Sequence, residues 1–186
     1  MAATQQPTAK APSQWRIDRA HTNVGFAVKH MMIATVHGRF TDVDGTVRYD
    51  EEDHSRSSLE ISIRTASIDT RDAERDAHLR SADFFDVAKY PVMTFRSTRI
   101  QSTGGQTLRI AGDLTILGVT RPITLEAVEE GRGKDPWGGD RAGFSASTTL
   151  DRRDFGLDWN QALEHGGWLV GHDIKVTLDV ELVRQD

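Results

Sequence analysis

Residues 174–182 alternate without a fault. Ile174, Val176, Leu178, Val180 and Leu182 are apolar, and Lys175, Thr177, Asp179 and Glu181 between them are polar. Period two means one dry face and one wet face, the pattern of an antiparallel strand with a core on one side. The same rhythm returns along the chain. Val24, Phe26 and Val28 alternate with Asn23, Gly25 and Lys29, and Leu59, Ile61 and Ile63 alternate with Glu60, Ser62 and Arg64. Leu108, Ile110, Leu114 and Ile116 share a parity with Gly112 between them, and Phe144 and Leu150 share one with Ala146 and Thr148. Turn-forming stretches separate these runs: "STGG" at 102–105, "LGVTRP" at 117–122 and the longer "GRGKDPWGGDRAG" at 131–143, which reads as a loop. Eight strands result, over 14–30, 34–49, 57–68, 92–101, 106–117, 120–130, 141–152 and 170–184. The first two are long. The first is expected to bend at Ala20, and the apolar parity shift between Phe40 and Val43 marks a bulge in the second.

Eight successive runs with one dominant alternation suit an all-β fold, an extended eight-stranded antiparallel up-and-down barrel, because closure leaves no exposed sheet edge. One segment interrupts the pattern. "TRDAERDAHLRSADFFDVAKYP" (70–91) is rich in charge and alanine and reads as a helical excursion between strands three and four, with Ser81 as N-cap and Pro91 as stop. Phe84 and Phe85 are adjacent, so from one helical turn only one of them can turn toward a barrel end. A second helical turn is expected over 158–165. Residues 1–13 read as a disordered arm and 14–186 as one domain.

Composition narrows the function. The net charge of −5 argues against a nucleic-acid surface. The absence of cysteine removes disulfides, thiolate metal sites and a cysteine nucleophile. The first residues contain no apolar stretch of secretory-signal type, and no run approaches a transmembrane helix, so a cytoplasmic protein that does not span a membrane is expected.

Three of the seven histidines, His21, His30 and His37, fall within seventeen residues, which raises the question of a metal. Metal ligands must converge on one point. Strand parity scatters these: His30 shares the inward parity of Val24, Phe26 and Val28, His37 points outward, and only the bend could redirect His21. A hydrogen-bonded structural role for His21 and a mouth-lining one for His30 fit better. No "GxSxG" motif is present. An eight-stranded barrel is either filled by its own side chains or holds one small ligand. Gly112, Ala127 and Ala146 on the inward parity are expected to leave room.

The chain resembles the YceI-like family of polyisoprenoid-binding, lipocalin-like proteins. The resemblance rests on "WRIDRAHTNVGFAVKHMMIATVHGRF", "HLRSADFFDVAKYPVMTFRST", "GDLTILGVTRPITLE", "AGFSASTTLDRRDFGL" and "VGHDIKVTLDVEL", in that order over 14–184. It implies a barrel that sequesters a long apolar ligand, such as an isoprenoid, an isoprenoid quinone or pyrophosphate, or a fatty-acid amide, with no catalysis and no cofactor. The tunnel wall would comprise Val24, Phe26, Val28, Met32 and Phe40 from the first two strands, Ile61 and Phe95 from the next two, and Leu114, Ile116, Phe144 and Leu178 from the rest. His30 and Phe84 would stand near an opening. The expected partner is that small molecule, with no nucleic acid; a homodimer stays open. Two other readings stand beside it: a metal-dependent enzyme using His21 and His30 with a carboxylate such as Asp18, and a ligand-free structural or stress-related barrel.

Overall fold

The computed structural model of the protein describes residues 11–185. One antiparallel sheet contains β1 (Ser13–Ile17), β2 (Asn23–His30), β3 (Ala34–Phe40), β4 (Val43–Tyr49), β5 (Ser58–Arg64) and β6 (Ile68–Asp69). It continues through β7 (Val92–Gly104), β8 (Thr107–Ile116), β9 (Val119–Lys134), β10 (Asp140–Asp151) and β11 (Val170–Arg184). The last strand closes the barrel. Its C-terminal end pairs with β1, from Trp15↔Arg184 to Ile17↔Leu182, and its remainder pairs with β2, from Asp179↔Asn23 to Val170↔His30. β1 and β2 are thus one long strand, bent by a single 3-10 turn at Arg19–His21 that the Asp18 carboxylate caps by accepting from the Ala20 N–H at 3.0 Å. β3 and β4 are a second long strand, interrupted at Thr41 and Asp42. With each pair counted once and the two-residue β6 taken with β5, eight strands close into the antiparallel barrel; the bend lies where expected, and the parity shift between Phe40 and Val43 is a break between β3 and β4 rather than a bulge.

The interruption lets the second long strand change neighbours. β4 pairs with β1 and β5, whereas β3 pairs with β2 and, on its other side, only with β6 through Arg39↔Asp69 and Phe40↔Ile68. At the upper end of the barrel, which carries the β2–β3 and β8–β9 turns, the wall beyond β6 is therefore built by residues 70–91. Their helix, α1, runs Ala73–Arg80. Its N-cap is Asp72, whose carboxylate accepts from the Arg75 N–H at 3.0 Å, and Ser81 ends it. The cap falls earlier than expected because this register puts Glu74 and Asp76 in the first turn and His78 and Arg80 in the last, where each charge suits the helix dipole. Buried Asp76 ties α1 to the sheet, accepting from the Thr70 N–H at 2.9 Å and the Thr70 hydroxyl at 2.6 Å.

Two other expectations are corrected. Residues 131–143 are mostly strand: β9 and β10 continue to a turn at 135–139, where the Asp135 carboxylate accepts from the Trp137 and Gly139 amides at 3.0 and 2.8 Å. Residues 158–165 are not helical. The Asn160 amide mimics a peptide group, donating to the Val170 carbonyl at 2.8 Å and accepting from the Val170 N–H at 3.0 Å, and so holds this segment extended beside β11. The single turn of helix lies earlier, at Arg152–Phe155. Of the arm expected over 1–13, residues 1–10 lie outside the described residues, and Ser13 already pairs with Tyr49. No helix among the described residues is long and apolar enough to cross a membrane.

Candidate ligand cavity

The inward side chains do not fill the barrel. An upper cavity of about 180 Å³ lies between β2, β8 and β11 and the 70–91 segment, and a second of about 80 Å³ lies below it. Ile61, Leu125 and Leu178 border both and form a waist. The lower end is sealed by Trp15 and Tyr49, both buried; the Trp15 indole donates to Ser13 Oγ at 2.8 Å and the Tyr49 hydroxyl donates to Glu129 at 2.9 Å. Burial, followed by that bond to Glu129, pushes the Tyr49 pKa up to about 12. The upper end is closed by side chains. His78, Phe84 and Trp159 meet with ring centroids 4.7–5.2 Å apart, and Phe85 stands edge-on to Phe40 at 5.7 Å.

Val24, Phe26, Val28, Phe40, Ile61, Phe84, Phe95, Leu114, Ile116 and Leu178 all line the upper cavity. Phe144 lines the lower one. Met32 and His30 line neither. Met32 is 67% exposed, because β2 ends at His30 and the chain then turns outward through Met31 and Met32 at φ of 49° and 63°. His30 has the inward parity but stands half-buried at the rim, beyond Val28. Phe84 and Phe85 both reach the cavity, since residues 81–90 form successive turns rather than a helix. Ala127 and Ala146 border the lower cavity as the room-leaving residues expected there. Gly112 does not leave room; the Phe95 ring occupies its space, and a Cβ at Gly112 would stand 2.7 Å from Phe95 Cε2.

The wall contains one charged side chain, Arg152, which sequence reasoning missed. It is 4% exposed. Its guanidinium donates to the carbonyls of Gly171 at 2.9 Å, Trp159 at 3.0 Å, Val170 at 3.5 Å and Leu157. Among the described residues no carboxylate lies within ion-pair distance of it, and burial pulls its pKa below the ordinary arginine value. Asp158 and Asp151 offset its charge from beyond ion-pair distance, so the guanidinium is held directly by carbonyl dipoles alone and keeps its charge beside the cavity. Nothing in "DRRDF" separates it from Arg153, which turns outward to Asp151 at 2.9 Å.

The histidines divide as parity implies. His21 and His30 stand at opposite ends of β2 and do not converge, and His37 is exposed. His21 Nδ1 lies 3.0 Å from Asp18 Oδ2 and 3.9 Å from Glu181 Oε1. Asp18, His21 and Glu181 have the mutual spacing of metal ligands. However, Arg141 already donates to Asp18 at 2.5 Å and to Glu181 at 2.7 Å, and to Asp135 at 3.0 Å, so a cation of the chain itself balances the cluster. The bond with His21 is the largest influence holding the Asp18 pKa down at about 2, with Arg141 adding to it. The same bond raises the His21 pKa above 6.5.

A closed antiparallel barrel of eight strands around an apolar cavity defines a lipocalin-like class of small barrels. Within it, the chain belongs to the YceI family: the family model described as YceI-like domain matches residues 15–182. A UPF0312 protein of Pseudomonas putida (strain W619) is 45% identical over 147 residues, covering 78% of this chain and 77% of that one. The crystal structure of a Campylobacter jejuni YCEI protein superposes with a TM-score of 0.73 at 32% identity, covering 91% of this chain and 96% of that one. A polyisoprenoid binding domain from Saccharophagus degradans, implicated in plant cell wall breakdown, shares the fold with a TM-score of 0.66 at 14% identity, covering 95% and 100%.

Proposed function

We propose that the barrel holds one small molecule with an apolar chain, an isoprenoid or a fatty chain of similar girth, and performs no chemistry on it. The observation that carries this reading is the upper cavity itself: an apolar space inside a closed barrel, whose one charged wall group is the unpaired Arg152. The chain of the ligand lies among Val28, Phe40, Leu114 and Val176, and its polar end meets the guanidinium charge of Arg152, which has no ion-pair partner within the wall. Each buried methylene contributes about 0.8 kcal/mol, so such a ligand needs little specific bonding. The two cavities, about 180 and 80 Å³, are smaller than the roughly 300–1,000 Å³ of common ligand pockets. A long chain therefore enters by displacing the rings of Phe40 and Phe85 or by running through the waist.

Native mass spectrometry of the purified protein, followed by organic extraction and titration with farnesol and farnesyl diphosphate, tests this. Stoichiometric uptake of either, with a rise in melting temperature, supports it. Absence of any co-purifying lipid together with no uptake of either probe would mean a filled, ligand-free barrel.

A further inference from the structure

Five large apolar side chains are exposed among the described residues: Met31, Met32, Ile33, Trp137 and Trp168. Four of the five gather at the upper end, at 42%, 67%, 82% and 48% exposure for Met31, Met32, Ile33 and Trp168; Trp137 lies on the β9–β10 turn at the other end. The four are one patch. The Met31 N–H donates to the Leu169 carbonyl at 2.8 Å, joining the β2–β3 turn to the residue after Trp168. Met32 Sδ lies against Gly167, at 3.1 Å from a Cβ built there.

Fold requirements do not explain these residues. Met31 and Met32 are consecutive left-handed residues, in a turn closed by the Ile33 N–H donating to the His30 carbonyl at 3.1 Å. Such positions ordinarily go to Gly, Asn or Asp, which bear the conformation more cheaply and are wetted without loss. Here a costly backbone holds two thioethers and an isoleucine out in solvent.

Charge and position identify what covers them. The hairpin 23–40 contains no Asp or Glu in a chain of net charge −5; its charged groups are Lys29 and Arg39, with His30 and His37. Arg39 is paired with Asp69, and Lys29 is exposed beside the tip. The adjoining 160–169 segment adds one acid, Glu164, and one histidine, His165. The tip is also continuous with the cavity: Val28 and Val170 line the upper cavity, and Val170 pairs with His30, the residue before Met31.

We propose that this patch docks the mouth of the barrel onto an anionic lipid bilayer, with Met32, Ile33 and Trp168 in the interfacial layer and Lys29 at the headgroups. An apolar tip with a cation behind it matches such a surface. The purpose of docking, passing an apolar chain between bilayer and cavity, rests on the function proposed above. Docking itself does not, and it is measured without ligand.

The experiment is pelleting of the ligand-free protein with phosphatidylglycerol–phosphatidylcholine vesicles and with phosphatidylcholine vesicles alone. The wild-type chain is expected to pellet with the anionic vesicles, more weakly at high salt. The M32S/I33S variant, altered only at exposed positions, is expected to lose about tenfold or more in apparent affinity, and K29Q about fivefold. On binding, Trp168 emission is expected to shift to the blue, by difference from W168F. Absence of pelleting, or equal pelleting by M32S/I33S, overturns the proposal. So does a concentration-dependent dimer that M32S/I33S abolishes without any vesicle binding, which would assign the patch to a second copy of the chain. Farnesol uptake by M32S/I33S in vesicle-free solution is expected to match the wild type, so failure of docking and failure of ligand binding are read separately.

Discussion

The ring of Phe26 lies over Gly38, its partner across the β2–β3 ladder, with its edge where a side chain would be: a Cβ at Gly38 would stand 2.8 Å from Phe26 Cε1. Phe95 and Gly112 repeat the arrangement on another part of the wall. Each glycine lets a phenyl group fold back against the sheet instead of standing across the barrel. The empty volume thus depends on two residues that contribute no side chain.

Gly38→Ala is accordingly expected to push the Phe26 ring inward. Overpacking of this kind costs about 1–3 kcal/mol, read as a lower denaturant midpoint. Farnesol affinity should fall as well. An unchanged midpoint would show that the ring moves freely.

Leu125→Ala opens the waist between the two cavities. Truncating this buried residue is expected to cost about 2–5 kcal/mol in the ligand-free protein. A graded series of isoprenoid alcohols should then show the preferred length shifting to longer chains. A loss of stability with no change in preferred length would mean that the lower cavity is not part of the ligand site.

Arg152 combines structural and ligand-facing tasks, and a ratio separates them. Arg152→Gln leaves several carbonyls short of donors, and a fall in melting temperature is expected from that alone. The affinity for farnesyl diphosphate relative to farnesol is the discriminating measurement. It should drop by about tenfold or more, as expected for losing one charged hydrogen-bonding partner.

The Asp18–His21 pair predicts a pH dependence. His21 holds its proton more tightly folded than unfolded, so its stabilisation is complete below pH 6.5 and drains away as pH rises through the elevated pKa. Asp18, at about 2, contributes fully above its ordinary 3.8 and loses that contribution as pH falls toward 2. Melting temperatures are expected to decline above pH 6.5, and His21→Gln should flatten that decline and also shrink the acid limb, because Arg141 and the Ala20 N–H alone would then hold the Asp18 pKa down. A His21 titration by NMR centred at or below 6.5 would contradict the assignment.

What was legible in the sequence was whatever repeats. Period-two alternation locates eight strands and the change of parity before Val43, because burial on one face forces the pattern. The same parity places nine proposed wall residues around the upper cavity and Phe144 at the lower. It failed where no ladder sets the rule. Met32 continues the inward parity of Val28 and His30, but two left-handed residues carry the chain out of the sheet there. Residues 158–165 looked helical by composition, while a single Asn160 amide holds them extended. Arg152 left no signal, since its meaning lies in contacts with Leu157, Trp159, Val170 and Gly171 that the chain makes only after it returns.

The second long strand, by changing neighbours at Thr41 and Asp42, leaves the barrel with a seam. The ladder also stops short between β9 and β10, whose pairing ends at Ser147↔Glu126, but β5 through β9 and β10 through β3 stay joined strand to strand. Between β3 and β7 the upper wall is joined by the two residue pairs of β6, the Arg39–Asp69 ion pair, the bonds of Thr65 to the Tyr90 and Pro91 carbonyls, the Thr70–Asp76 bonds, two bonds from Arg80 to the carbonyls of Ala66 and Ile68, and the contact of Phe85 with Phe40. Parting it lifts a flap and leaves the rest of the cylinder intact. A vessel with such a sewn edge can yield along it, at a cost set by a short row of side chains and main-chain bonds.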